Sequence, residues 1–501
     1  MNSSQLLERN ARKYPDHEGV ISQGKRLSYR ELDQLVNKFS HALKHQGVRP
    51  GDKVVLFMPN VAEFVIAYFA VQRIGGIIVP INARLTLPEV EYIVQHSDAK
   101  AVIAHQMLFG TVENLRADVI RIITGEAAGG WQSFEVLLAA GHEAAIPCHL
   151  KEDDESTLLY TSGTTGQPKG VLFSYRNILT VAQMICVEME VKPESRILLM
   201  MPLSHSAPLH LFLMAGVFVG AALVLTPTFT PDLLLYAVEQ ERTTHFFGAP
   251  VAYLLTAVHP RIHEADLSSM KWWVYGGAPL TTKEVQAVKA AFRTDNLVSV
   301  YGLTEAGPSG TLLLGNEHET KAGSIGKRAA LSTELRIVND VGEDVAAGEI
   351  GEIVLRGEGN MIGYYKNEEA TKEVFLGEWL KTGDLARFDE DGYIWIVDRK
   401  KDVIITGGIN IYPKEIEEVM LQFPGIREVA VVGVPHQEWG ETVKAVYAAA
   451  ELVDVESLKE YLGERLAKFK LPRLYEQVEA LPRNSSGKIL KQPLRTGGDA
   501  S

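Results

Sequence analysis

A chain of 501 residues has room for about three compact units, enough for large cores and an interdomain cleft, and this excludes a small disulfide-stapled module. With 50 Lys and Arg against 63 Asp and Glu the formal charge is −13, which disfavours a broad basic face for nucleic acid. Charged residues at 23% and hydrophobic residues at 46% are ordinary globular values, so neither wholesale disorder nor a membrane bundle fits.

The opening residues, MNSSQLLERNARKYPDHEG, lack the apolar core of a secretory signal. Only Cys148 and Cys186 are present, too few for a disulfide framework or a Cys-rich zinc site. A cytoplasmic setting is the expectation. Short apolar runs then alternate with helical patterns: residues 53–58 read as a buried strand, 62–73 as a helix and 76–80 as a second strand. Parallel strands joined by helices produce this rhythm.

After the apolar pair Leu158-Leu159 comes Tyr160-Thr161-Ser162-Gly163-Thr164-Thr165-Gly166-Gln167-Pro168-Lys169-Gly170. Its glycines let backbone N–H groups converge on an anion, its hydroxyls add donors and Lys169 adds charge, which is equipment for polyphosphate. The spacing is not that of a Walker A loop. Residues 197–231 carry no Asp, Glu, Lys or Arg, but His205, His210, four prolines, Gly216 and Gly220 interrupt them. A buried helix leading into a strand at 221–225 is expected rather than a membrane span, and peripheral membrane contact stays open. The absence of an acidic residue there leaves a substrate ammonium without a partner, which disfavours an α-amino acid.

Residues 276–280, Gly-Gly-Ala-Pro-Leu, read as a turn at a strand end, and Tyr301-Gly302-Leu303-Thr304-Glu305 supplies a carboxylate suited to a hard cation. From about 321 to 396 the texture becomes β-rich. The charged turn Asp398-Arg399-Lys400-Lys401-Asp402 leads into a second α/β unit. There Pro413 suits a first helical turn, Ile416, Val419 and Met420 share a helix face, 429–434 reads as a strand, and Val455, Leu458, Leu462 and Leu466 mark a further helix.

The segment 160–170 resembles the phosphate loop of the adenylate-forming superfamily, which includes acyl-CoA synthetases, beetle luciferases and peptide-synthetase adenylation domains. The resemblance runs from about Leu27 to Lys488, with the family's motifs in order. It implies an α/β fold: a large N-terminal domain of α/β sheet subdomains, residues 1–398, with a β-rich subdomain over about 321–398. A small mobile α/β domain, 399–501, follows a hinge near Lys401.

It further implies nucleotide contacts at Thr161, Ser162, Gly163, Thr164, Thr165, Gly166, Lys169, Gly277, Ala278, Pro279, Tyr301, Gly302 and Thr304, and at Asp384, Arg399 and Lys488. Tyr301 stacks on adenine in the family, and Asp384, in Glu378-Trp379-Leu380-Lys381-Thr382-Gly383-Asp384-Leu385, accepts from the ribose diol, as an acceptor-only carboxylate can. Mg²⁺ falls to Glu305 and Thr165. Lys488, in Pro482-Arg483-Asn484-Ser485-Ser486-Gly487-Lys488, is the catalytic lysine, supported by Thr304, Glu305 and His205. Gly407 and Gly408 line the coenzyme A tunnel. His205, Phe246, Gly248, Val251, Ala306 and Gly307 line the acyl pocket.

The implied reaction is an ATP-dependent carboxylic acid–CoA ligation through an acyl-adenylate, with ATP, Mg²⁺ and coenzyme A. The expected acid is a medium- to long-chain fatty acid, with an aryl or other small carboxylic acid next. A luciferase-type oxygenase, a peptide-synthetase domain and a non-catalytic nucleotide-binding protein of the same fold are the remaining readings. No nucleic acid or transmembrane segment is expected, and a homodimer is compatible with the sequence. Ser204 stands where an aromatic residue often precedes the histidine, and Ile409 where many relatives carry Glu.

Overall fold

The computed structural model describes residues 2–127, 129–147, 149–161, 168–406, 408–484 and 487–495. The chain packs into two compact units, Met1–Leu335 with Leu355–Leu380, and Arg336–Val354 with Lys381–Ser501. Segments 336–354 and 381–398 therefore group with the C-terminal residues, whereas the sequence suggested a boundary at 398.

Among the described residues, the first unit holds a nine-stranded and an eight-stranded sheet. In the eight-stranded sheet Lys53–Phe57 lies between the parallel strands Ile77–Ile81 and Ala99–Ala104. Ile77–Ile81 is buried throughout, the pattern of a strand covered on both faces. The helix Ala62–Arg73 makes the crossover, as the apolar rhythm predicts. At the other side Glu155–Thr161 turns back antiparallel through Lys169–Ser174, and Gly363–Tyr364 extends that edge.

The nine-stranded sheet has a parallel centre of Ala222–Leu225, Arg196–Leu199, His245–Gly248, Trp272–Gly276 and Leu297–Tyr301. The uncharged stretch departs from expectation. It opens as the strand Arg196–Leu199 and becomes helical only at 207, with a π-helical turn Ala207–Leu213 running into the α-helix Met214–Val219. Pro208, which cannot donate a backbone hydrogen bond, sits in that widened turn. Gly216 has a steric reason to be glycine: a Cβ there would lie 2.6 Å from Leu223 Cδ2 on the underlying strand. No helix among the described residues is long and apolar enough to cross a membrane.

The second unit contains the long hairpin Ile426–His436 and Gly440–Ala449, flanked by Ile404–Thr406, Ile409–Ile411 and Leu474–Val478. The helices Pro413–Met420 and Val455–Gly463 place Ile416, Met420, Leu458 and Leu462 in its core with Val431, Val443 and Tyr447. Pro413 occupies the helix start, where its missing N–H costs nothing.

Candidate functional site

In the first unit, Thr161 and Lys169 face each other across the antiparallel pair on either side of the glycine-rich segment. Ser162, Gly163, Thr164, Thr165 and Gly166 lie outside the described residues. Both stems are tied to the helix Leu87–His96: the Tyr92 hydroxyl donates to the Pro168 carbonyl at 3.2 Å, and His96 Nδ1 meets the Tyr160 hydroxyl at 2.7 Å.

Lys169 extends over the ring of Tyr364, its ammonium 4.8 Å from the centroid. The Tyr364 hydroxyl donates to Glu305 Oε1 at 2.9 Å. Burial, and then the neighbouring carboxylate, push the Tyr364 phenol far up, so it remains protonated as a donor. Glu305 is held at its backbone too, since its carbonyl accepts from Met361 N–H at 2.8 Å. Next to it, Ser206 Oγ donates to Thr304 Oγ1 at 3.3 Å, joining the start of the uncharged helical stretch to the Thr-Glu turn.

Two glycines shape this corner. A Cβ at Gly302 would sit 2.3 Å from the Pro308 carbonyl oxygen. At Gly307, which has φ +77°, it would sit 2.2 Å from that of Gly359. Gly277 has φ +87° and opens the exposed turn through Ala278 and Pro279 at the end of Trp272–Gly276, the strand end at which open α/β sheets bind ligands. Tyr301 ends the neighbouring strand Leu297–Tyr301.

His205 keeps solvent access but is surrounded by protein, and the resulting desolvation lowers its pKa. Its Nε2 lies 3.4 Å from Asn82 Nδ2. Ala306 is buried at the turn. Gly307 belongs to the same turn, whereas Phe246, Gly248 and Val251 are placed differently. Phe246 is fully buried in the opposite core, its ring 5.7 Å from Tyr253 and 6.1 Å from Trp273. Strand alternation is the reason: Phe247, one residue on, faces the other way and stacks on Phe212 of the π-helical turn at 5.4 Å. A Cβ on Gly248 would meet the Phe246 ring, and Val251 is 57% exposed. Ser204 Oγ is buried with no hydrogen-bond partner among the described residues.

Among the described residues no group of three or more His, Cys, Asp or Glu forms a metal cage. The half-buried Glu305 carboxylate fits a Mg²⁺ ion that takes its remaining ligands from phosphates and water.

The second unit gathers the other residues. Asp384 and Arg399 are register partners on the strands Trp379–Phe388 and Ile394–Arg399, and Arg399 Nε lies 2.6 Å from Asp384 Oδ1. Asp384 is buried and Arg399 half exposed. Lys488 follows Gly487, which has φ +85°; Arg483 and Ile489 pair antiparallel on either side, and the Lys488 N–H donates to Asn484 Oδ1 at 2.9 Å. The Lys488 side chain keeps solvent access, yet the protein around it, then Arg399 and Lys401, lower its pKa against the pull of Asp384 and Asp402. Lys401 is lowered too, first by desolvation, while Asp402 opposes the shift. Gly407 lies outside the described residues. Gly408 has φ +81° with open space where a Cβ would be, and Ile409 is 47% exposed.

The first unit therefore assembles Lys169, Ser206, Thr304, Glu305 and Tyr364, and the second assembles Asp384, Arg399, Lys401 and Lys488. Tyr364, Ser206, Asn82 and Phe247 were not picked out from sequence. Strand alternation alone offered a signal for Phe247.

The AMP-binding enzyme family matches residues 7–365, and the AMP-binding enzyme C-terminal domain matches residues 415–488. A feruloyl-CoA synthase from an Amycolatopsis species is 39% identical over 492 residues, covering 97% of this chain and 97% of that protein. The long-chain-fatty-acid–CoA ligase FadD13 of Mycobacterium tuberculosis is 35% identical over 473 residues, covering 94% and 93%. Among solved structures, the anthranilate CoA ligase AuaEII in complex with anthranoyl-AMP matches with a TM-score of 0.87 at 29% identity, over 99% of this chain and 97% of that one.

Proposed function

The chain belongs to the AMP-binding enzyme family and is an ATP-dependent acid–CoA ligase, and from that premise we propose that its acid is a fatty acid of medium to long chain. The observation that carries this choice is the bond from Ser206 to Thr304, which sets an uncharged, largely buried helical stretch directly beside the Thr-Glu turn. Such a wall offers dispersion contacts to an alkyl chain and no counter-charge to an ammonium group.

In the proposed reaction the carboxylate attacks the α-phosphorus of ATP in line and expels pyrophosphate. This step needs positioning and charge neutralisation rather than a protein nucleophile. Lys488 offsets the negative charge that builds as two anions meet, Asp384 accepts from the ribose diol, and Lys169 steadies the phosphates. Mg²⁺ held at Glu305, with Thr165 as a further ligand, would screen the phosphate charge. The thiol of coenzyme A then attacks the acyl-adenylate carbonyl, releasing AMP and leaving the thioester. We assign adenylation to the arrangement in which Lys488 stands beside Asp384 and Arg399, and thioester formation to Gly407 and Gly408 after rotation at Lys401.

A second reading, an aryl acid, is favoured by the stacked Phe212–Phe247 pair and by the identity to the feruloyl-CoA synthase. AMP release with coenzyme A, measured across octanoate, palmitate, benzoate and ferulate, separates the two. The alkyl reading expects kcat/KM for a fatty acid at least about tenfold above either aryl acid, a gap of about 1.4 kcal/mol. The reverse order replaces it.

A further inference from the structure

We propose that Tyr364 is a positioning residue that holds the metal-binding carboxylate of Glu305 and the phosphate-binding ammonium of Lys169 in one fixed relation. The proposal rests on the ligase reading for the roles of those two groups and adds a residue that no motif singled out.

The short segment 361–365 touches both groups through backbone and side chain. At one end, Met361 N–H donates to the Glu305 carbonyl at 2.8 Å, and the Tyr364 hydroxyl donates to its carboxylate at 2.9 Å. At the other end, Ile362 N–H donates to the Leu172 carbonyl and Tyr365 N–H to the Gly170 carbonyl, both at 2.8 Å. These bonds lay Gly363–Tyr364 along the strand that begins at Lys169, which brings the Tyr364 ring under that ammonium. The segment is itself fixed from outside, since Tyr364 N–H donates to Thr371 Oγ1 at 2.9 Å and the Tyr365 hydroxyl reaches Asp98 at 3.0 Å.

A half-buried glutamate on a one-turn 3₁₀ helix would otherwise sample several rotamers. A hydrogen bond to Oε1 restricts it to those that leave Oε2 for a metal. Hydrogen bonds to charged groups are among the stronger ones, and a fixed ligand loses less entropy when the ion arrives. The ring also gives the Lys169 ammonium a resting place against its negative face in the absence of nucleotide.

The test is a binding cycle on the full-length protein, with ATP titrated calorimetrically in Mg²⁺ and again in EDTA. It uses the unsubstituted chain, Tyr364→Phe, Glu305→Gln and the double variant. Tyr364→Phe keeps the ring and removes only the hydroxyl. It is expected to weaken binding of ATP with Mg²⁺ about tenfold and of metal-free ATP less than about twofold, and to cost nothing further once Glu305 is Gln. Because the readout is binding, it stands apart from the ligase reading, which fails instead if no acid stimulates pyrophosphate release. Equal loss with and without metal, no loss in either, or full additivity with Glu305→Gln would overturn the role assigned to Tyr364.

Discussion

Glu305 in the first unit and Lys488 in the second carry opposite charges and are held in opposite ways. Glu305 has its carboxylate on a tyrosine hydroxyl and its carbonyl on a backbone N–H, so its position is settled by neutral donors. The Lys488 ammonium has Arg399 and Lys401 for neighbours, and its pKa falls first because the surrounding protein desolvates it and then because of those two cations, against the pull of Asp384 and Asp402. On the proposed roles, a group that waits for a cation is best held by dipoles, and a group that draws in two anions is best left with positive charge not fully compensated. The same contrast extends to His210, which burial keeps neutral and whose two ring nitrogens have no hydrogen-bond partner among the described residues.

The largest expected effect breaks the second half of this comparison. Lys488→Ala should slow acid-dependent pyrophosphate release about a hundredfold or more, while thioester formation from supplied acyl-adenylate largely survives. Equal loss in both half reactions would show that Lys488 does not serve adenylation alone.

Acid stability probes the first unit. Burial brings His210 down to about 3 and His245 to about 4, against the ordinary 6.5 that the unfolded chain recovers. Below 6.5 the unfolded state therefore binds more protons. The stability contributed by each neutral imidazole is complete above that value and is lost as pH falls toward the folded pKa. From pH 7 to pH 5 each should cost about 2 kcal/mol. His210→Leu should remove its share of that loss, read from denaturant midpoints at the two pH values, and an unchanged difference would place the titration elsewhere.

A smaller effect sharpens the pairing of Asp384 with Arg399. Arg399→Ala leaves the buried carboxylate without its guanidinium and is expected to raise KM for ATP about tenfold, with kcat changed less, in an initial-rate assay. If KM for the acid moves instead, the pair does not belong to the nucleotide side.

Much of the local structure is legible in the sequence. The apolar runs at 53–58 and 76–80 and the helical pattern at 62–73 match the observed strands at 53–57 and 77–81 and the helix between them, because such patterns depend on residues adjacent in the chain. Phe246 shows where such reading stops. Its apolar character was legible, but which of Phe246 and Phe247 faces Phe212 depends on how the sheet is covered, and a shift of one residue exchanges the two.

The strands near 53–58 and 76–80, the helix between them and the helix that starts at Pro413 follow from the sequence by itself, since backbone propensity acts over a few residues. Tertiary structure alone decided that Tyr364 would meet Glu305 across 59 residues of chain, that Arg399 would stand opposite Asp384, and that the uncharged stretch would begin as a strand. Those outcomes turn on strand order and register, which are set by the cooperative burial of whole sheets and leave no mark in any short run of residues.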